Sequence, residues 1–151
     1  GYSLGRMNRA EGDSSRFIIS GSATGNLPEL DARHFCTVTR ADPAQNTVCC
    51  EGPIVASSES MSHAAVYAEC PEIRAVVHAH HRQWWERLLH RIPTTRPEPT
   101  YGSPEMAAEI TRLLRETRLR QSGIFVTEGH EEGIFAIGTT LQQAAERLIN
   151  L

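Results

Sequence analysis

The sequence predicts a mixed α and β domain built around one sheet, with α/β and α+β both open and the sheet at least partly antiparallel. Short β-branched and aromatic runs alternate with longer segments of helical periodicity. Turn-forming clusters separate neighbouring runs by hairpin distances, as in Asp42-Pro43-Ala44-Gln45-Asn46. The 151 residues suffice for one ordinary core but not for two, so a single domain over 1–151 is expected.

Composition narrows the classes of function. Hydrophobic residues at 40% and charged residues at 22% are the balance of a soluble globular protein. A net charge of −3 supplies no field that would draw nucleic acid or an anionic membrane surface, so neither is expected as a partner. No apolar run approaches the length of a spanning helix, and no signal peptide opens the sequence, which points to the cytoplasm. Cys36, Cys49, Cys50 and Cys70 show no CxxC spacing, so free thiols in a reducing compartment are expected. Seven histidines are many for this length and favour a metal or proton-transfer site.

Residues 1–15 read as polar and turn-rich. Phe17-Ile18-Ile19-Ser20 makes a compact strand, stopped by the small-residue loop Gly21-Ser22-Ala23-Thr24-Gly25-Asn26, which is either a plain turn or a backbone cradle for an anion or hydroxylated ligand. Asp31 suits the cap of one helical turn, Phe35–Thr39 a second strand, and Thr47–Cys50 its hairpin partner. One of Ser57, Ser58 and Ser60 is expected to cap a helix facing inward through Met61, Ala64, Ala65 and Ala68, with Glu59 in its first turn, where the helix dipole favours an anion. His63 and Tyr67, four apart, share a face and read as packing residues. Pro71 ends the element.

Trp84–His90 reads as a partly buried helix. Ser103-Pro104-Glu105 is a strong helix start, and Met106, Ala107, Ile110, Leu113 and Leu114 give the stripe of a helix running to about Arg118. Its Arg112, Arg115, Arg118 and Arg120 read as a solvated face. Ile124–Thr127 and Ile134–Ile137 are two further strands around Glu128-Gly129-His130-Glu131-Glu132-Gly133. Thr139 or Thr140 caps a last helix with Leu141, Ala144, Ala145 and Leu148 inward.

The stretch that carries chemistry is Arg74-Ala75-Val76-Val77-His78-Ala79-His80-His81. On an extended chain alternate side chains share a face, so His78 and His80 point together, about 7 Å apart along the strand, and His81 points away. His130, in a glycine-flanked loop between two strands, can join them. Three imidazoles with a fourth position open is the pattern of a catalytic zinc site, although spacing alone does not force the assembly and another divalent transition metal would fit the same donors.

Taken in order, Ser57-Ser58-Glu59, His63, Tyr67, Ala75-Val76-Val77-His78-Ala79-His80, then Gly129-His130 with Gly133 and Gly138 before a Leu-rich helix, the sequence resembles the class II aldolase/adducin family from about Phe17 to the C-terminus. The resemblance implies a three-layer α/β/α domain with a mainly antiparallel central sheet, often assembled as a homo-oligomer, commonly a tetramer, with its site near a subunit interface. It implies zinc on His78, His80 and His130, and Glu59 as the catalytic acid/base. It implies Ser57 and Ser58 at the substrate's phosphate or polar end, and Thr24 and Gly25 in a loop that closes the pocket.

The function so implied is a metal-dependent aldehyde-lyase. It would act on a small keto-sugar, polyol or hydroxy-acid derivative, with zinc as the Lewis acid that stabilises an enediolate. Epimerase or dehydratase chemistry shares that logic, and a non-catalytic adducin-like assembly module is the alternative from another class. Three departures stand out. The family's first substrate loop has Asn after Gly, where Gly5-Arg6-Met7-Asn8 places Arg6. The helices that usually precede that loop are absent, as in a short or trimmed member, and the family's Asn-His-Gly is here Gly129-His130-Glu131.

Overall fold

A computed structural model describes residues 2–5 and 16–151, the first four through their backbone. The β-branched and aromatic runs become strands β2 (Phe17–Ser20), β3 (Phe35–Asp42), β4 (Thr47–Glu51), β5 (Ala75–His80), β6 (Ile124–Val126) and β7 (Gly133–Gly138). To these the structure adds β1 (Tyr2–Gly5), in a segment that reads from sequence as turn-rich. Four residues flanked by glycine carry little β signal of their own, and pairing with β2 on one edge and β5 on the other makes them a strand. Arg6 and Asn8, in the first substrate loop suggested by the family resemblance, lie outside the described residues.

The sheet runs β4-β3-β2-β1-β5-β7-β6, and every pairing among these strands is antiparallel. Helices α1 (Ser60–Glu69), α2 (Arg82–Leu88), α3 (Pro104–Glu116), α4 (Leu119–Ser122) and α5 (Leu141–Ile149) complete the chain. Side-chain alternation divides the core into two layers. Val76, Phe135 and Ile137 join Phe17, Ile19 and Val38 beneath α1 and α3, whose Val66, Tyr67, Ile110 and Leu113 are buried there. From the opposite sheet face Val77, Ile134 and Ala136 meet Trp84, Trp85 and Leu88 of α2 and Ala144 and Leu148 of α5. The result is a three-layer α/β/α fold with an antiparallel centre.

Local signals set the helix boundaries. Ser103 Oγ accepts from the Met106 N–H at 3.1 Å, with Pro104 opening α3, and Thr140 Oγ1 accepts from the Gln143 N–H at 3.1 Å to open α5. Asp31 caps the single turn Ala32–His34. α3 closes at Glu116 rather than near Arg118, because α4 starts a new turn at Leu119. The arginines beyond its midpoint pair within the chain: Arg112 with Glu109 and Glu116, Arg115 and Arg120 with Glu69.

Two expectations are corrected. In α1 Met61, His63 and Tyr67 are buried as expected and Ala64 and Ala65 pack half-buried against the core, but Ala68 is exposed, because Ser62 and Val66 take the remaining buried positions. In α5 Leu141 is 37% exposed, sitting at the first helical position beyond the layer that buries Ala144 and Leu148.

Burial therefore ranks two leucines. Leu113→Ala, at a site 1% exposed, should lower unfolding free energy by about 2–5 kcal/mol in urea titration. Leu141→Ala should stay within about 0.5 kcal/mol of the parent.

Candidate metal centre and active site

The register of β5 on β7 places the first two histidines. His78 lies opposite Phe135 and His80 opposite Gly133. The Phe135 ring stacks on His78 with centroids 4.1 Å apart, backing it from the core. At Gly133 a Cβ would strike Thr127 Oγ1 and come within 2.9 Å of the His130 carbonyl oxygen, so a side chain there would close the space in which the three rings meet.

His130 is presented by the loop between β6 and β7. Thr127 Oγ1 lies 3.1 Å from the His130 carbonyl oxygen and 3.2 Å from that of Gly133, and the Gly133 N–H closes on His130 at 3.0 Å. Trp85 Nε1 donates to the Thr127 carbonyl at 2.9 Å and ties the loop to α2. A side chain at Gly129 would run into the Pro99 carbonyl, so only glycine allows this approach to the proline-rich loop. Tyr101, 56% exposed, lays its ring 5.0 Å from that of His130 at the mouth of the site.

His78, His80 and His130 each offer a ring nitrogen within 4.8 Å of the others. His78 Nε2 lies 3.0 Å from His80 Nε2, while His78 Nδ1 lies 3.2 Å from the Ile134 carbonyl oxygen. That carbonyl calls for a proton on Nδ1 and leaves the Nε2 lone pair for a ligand, the outer contact that orients metal-binding histidines. Tetrahedral bonds of about 2.0–2.1 Å would set neighbouring ligand nitrogens about 3.4 Å apart, close to the spacing of this pair. Burial holds His78 well below the ordinary imidazole range and lowers His80, with the neighbouring His130 adding to the effect on His80. Both rings are therefore neutral at neutral pH and available to a cation. The donor set fits a divalent transition metal, and among the described residues no cysteine or fourth histidine joins the group, which leaves a coordination position open.

Glu59, 3% exposed, stands beside this triad. It is the N-cap of α1 rather than a first-turn residue, since the chain bends at Ser58 and the helix opens at Ser60. Its carboxylate makes no capping bond; Ser62 Oγ donates to Oε2 at 2.8 Å. Oε1 lies 3.1 Å from His130 Nδ1 without hydrogen-bond geometry, so among the described residues neither atom has a hydrogen-bond partner. Buried groups left so cost about 1–3 kcal/mol each, a cost that a bound cation or substrate would remove.

The remaining expected site residues sit on two loops zipped together. Ser22 donates its N–H to Val55, Ser57 donates to Ser20, and Gly21 bridges Ala56. Gly25 lines a cavity of about 430 Å³ with Asn26, His78, His80 and residues of α5. Thr24 is buried with its hydroxyl donating to Gly21 at 2.9 Å, so it shapes the loop. Ser57 Oγ accepts from the Glu59 N–H at 3.2 Å and fixes the entry to α1, and Ser58 is exposed beside the Gly102 turn. The sequence pattern did not mark Ser62, Thr127 or Tyr101 as site residues, and Asn26 entered it as the last residue of the small-residue loop. Of the first three, Ser62 alone carried a signal, lying one turn beyond Glu59.

Residues 6–85 match the model of the Class II Aldolase and Adducin N-terminal domain, and the chain belongs to that family. Among solved structures, an L-fuculose 1-phosphate aldolase superposes with a TM-score of 0.70 at 19% identity, over 99% of this chain and 72% of that one. YgbL from Klebsiella pneumoniae, provisionally described as an aldolase/epimerase/decarboxylase, gives 0.68 at 18% over 99% and 72%. A sugar-phosphate aldolase from Thermotoga maritima gives 0.67 at 16% over 99% and 79%. At these identities the likeness is one of fold. No curated protein sequence matches the chain.

The triad leads to a direct measurement. Protein exposed to a divalent transition metal and then desalted should retain about one ion per chain by elemental analysis. His78→Ala and His80→Ala should each lower retention at least tenfold. Retention unchanged in both variants would place the ion elsewhere.

Proposed function

We propose that this chain is a metal-dependent aldolase-like lyase for a small keto-sugar, polyol or hydroxy-acid derivative, working through an enediolate. The observation that carries the reading is the convergence of His78, His80 and His130 within 4.8 Å beside the buried carboxylate of Glu59. The aldolases that share the fold support it.

In this reading the three imidazoles hold zinc, or another divalent transition metal, whose Lewis acidity stabilises negative charge on the substrate's oxygens. Glu59 moves the proton, and its position at the N-terminus of α1 gives its carboxylate a favourable field. Gly25 offers its backbone to the substrate's polar end from the cavity wall. Ser57, Ser58 and Thr24 hold the two loops that frame that end, and two of their hydroxyls are already engaged within the chain.

Epimerase or dehydratase chemistry would use the same groups, and the description of YgbL keeps that second reading in view. A non-catalytic assembly module explains less, because it has no use for a buried carboxylate oxygen and imidazole nitrogen that lack hydrogen-bond partners among the described residues. A homo-oligomer, with a tetramer as the arrangement, is what the family suggests. The four unbridged cysteines support a reducing, cytoplasmic setting.

A screen of small aldol substrates, phosphorylated and free, with metal added or chelated, tests the reading. Glu59→Gln should keep its metal and lose about a hundredfold or more in turnover. Undiminished turnover in that variant would remove Glu59 from the chemistry.

A further inference from the structure

We infer that Ser62 is a positioning residue for Glu59, anchoring Oε2 so that Oε1 alone faces the histidines and moves the proton. The inference rests on the acid/base role proposed for Glu59. Ser62 lies three residues beyond the N-cap Glu59, so the two side chains share a face at the start of α1. Ser62 has no exposed surface and donates to Oε2 at 2.8 Å. An apolar side chain could fill this buried helical position, so a hydroxyl there calls for a polar task.

The geometry of the carboxylate points the same way. Its last torsion is broad, and a free glutamate could rotate to exchange its two oxygens or swing back onto the open N–H groups of its own helix. The structure has neither arrangement: Glu59 makes no capping bond, and the oxygen that Ser62 leaves alone is buried 3.1 Å from His130 Nδ1. One hydrogen bond thus divides the carboxylate into an anchored oxygen and a working one. In the step this serves, the substrate C–H bond next to the carbonyl breaks, its electron pair stays on the substrate, and the proton passes to Oε1.

The test follows deuterium entering that C–H position in D₂O by NMR, with zinc-loaded protein and dihydroxyacetone or its phosphate as probes. Ser62→Ala should slow exchange at saturating probe about ten- to hundredfold, with KM and zinc content unchanged, and Ser62→Thr should recover most of the rate. A Ser62→Ala rate within about twofold of the parent, or a Ser62→Thr rate as low as that of Ser62→Ala, overturns the inference. If the parent exchanges neither probe, the aldol reading is what fails. Crystal structures of the two variants then decide: a rotated carboxylate in Ser62→Ala, restored in Ser62→Thr, supports the anchor, and an unmoved carboxylate in Ser62→Ala overturns it.

Discussion

The antiparallel pairing of β5 with β7 is the constraint on which the site depends. Its register sets His78 against Phe135 and His80 against Gly133, so one ring gains an aromatic backing and the next gains open space. A slip of one residue would carry both imidazoles to the face covered by α2 and α5, where Trp84 and Leu148 pack. The same strand of β7 starts directly after the loop that presents His130. One pairing therefore fixes all three ligand candidates, and the two hydrophobic layers lock it by burying Val76 and Ile137 on one side and Val77 and Ala136 on the other.

Polar groups then enter the core from one end of that sheet. His63 is fully buried, and burial pushes its imidazole down to about 3, so it stays neutral and packs as an aromatic ring. Its edge meets Phe135, with centroids 5.9 Å apart, and Phe135 in turn stacks beneath His78. A row of uncharged rings thus separates the apolar interior from the candidate metal centre. That separation explains how a core can tolerate a titratable site at its margin: each ring is neutral, and charge appears only where ligand or solvent can meet it.

Much of this was legible in the sequence, for reasons that differ by residue. The strands at Phe17 and Ala75 announce themselves through β-branched runs, and Ser103-Pro104-Glu105 specifies a helix start through local chemistry alone. His78 and His80 need only the two-residue repeat of a strand to share a face. His130 was a candidate from its glycine-flanked loop, but only the resemblance tied it to the pair, because no local rule says that a distant loop returns to β5. The strand Tyr2–Gly5, the exposure of Ala68 in α1 and that of Leu141 escaped for one physical reason. Each is decided by what packs against the segment, and in alanine-rich α1 the periodicity of small residues does not say which face the bulkier neighbours will claim.

Two buried carboxylates in this chain show how differently a fold can treat the same group. Glu109 takes hydrogen bonds from Arg112 at 2.8 Å to each oxygen and from Arg96 through both backbone and side chain, and the Arg112 guanidinium holds its carboxyl below the usual range. Its charge is matched, and its work is to tie α3 to the proline-rich loop. Glu59 is buried as deeply, yet among the described residues its recorded polar contacts are one hydroxyl and one imidazole edge. A structural carboxylate left that far from balance would be replaced at little cost by glutamine or an apolar residue. Its presence makes sense if the missing positive charge arrives with a bound cation or is carried as a proton from a substrate. The imbalance at Glu59, set against the balance at Glu109, is therefore what supports the proposed chemical role for Glu59 over that of a buried ion pair built for stability.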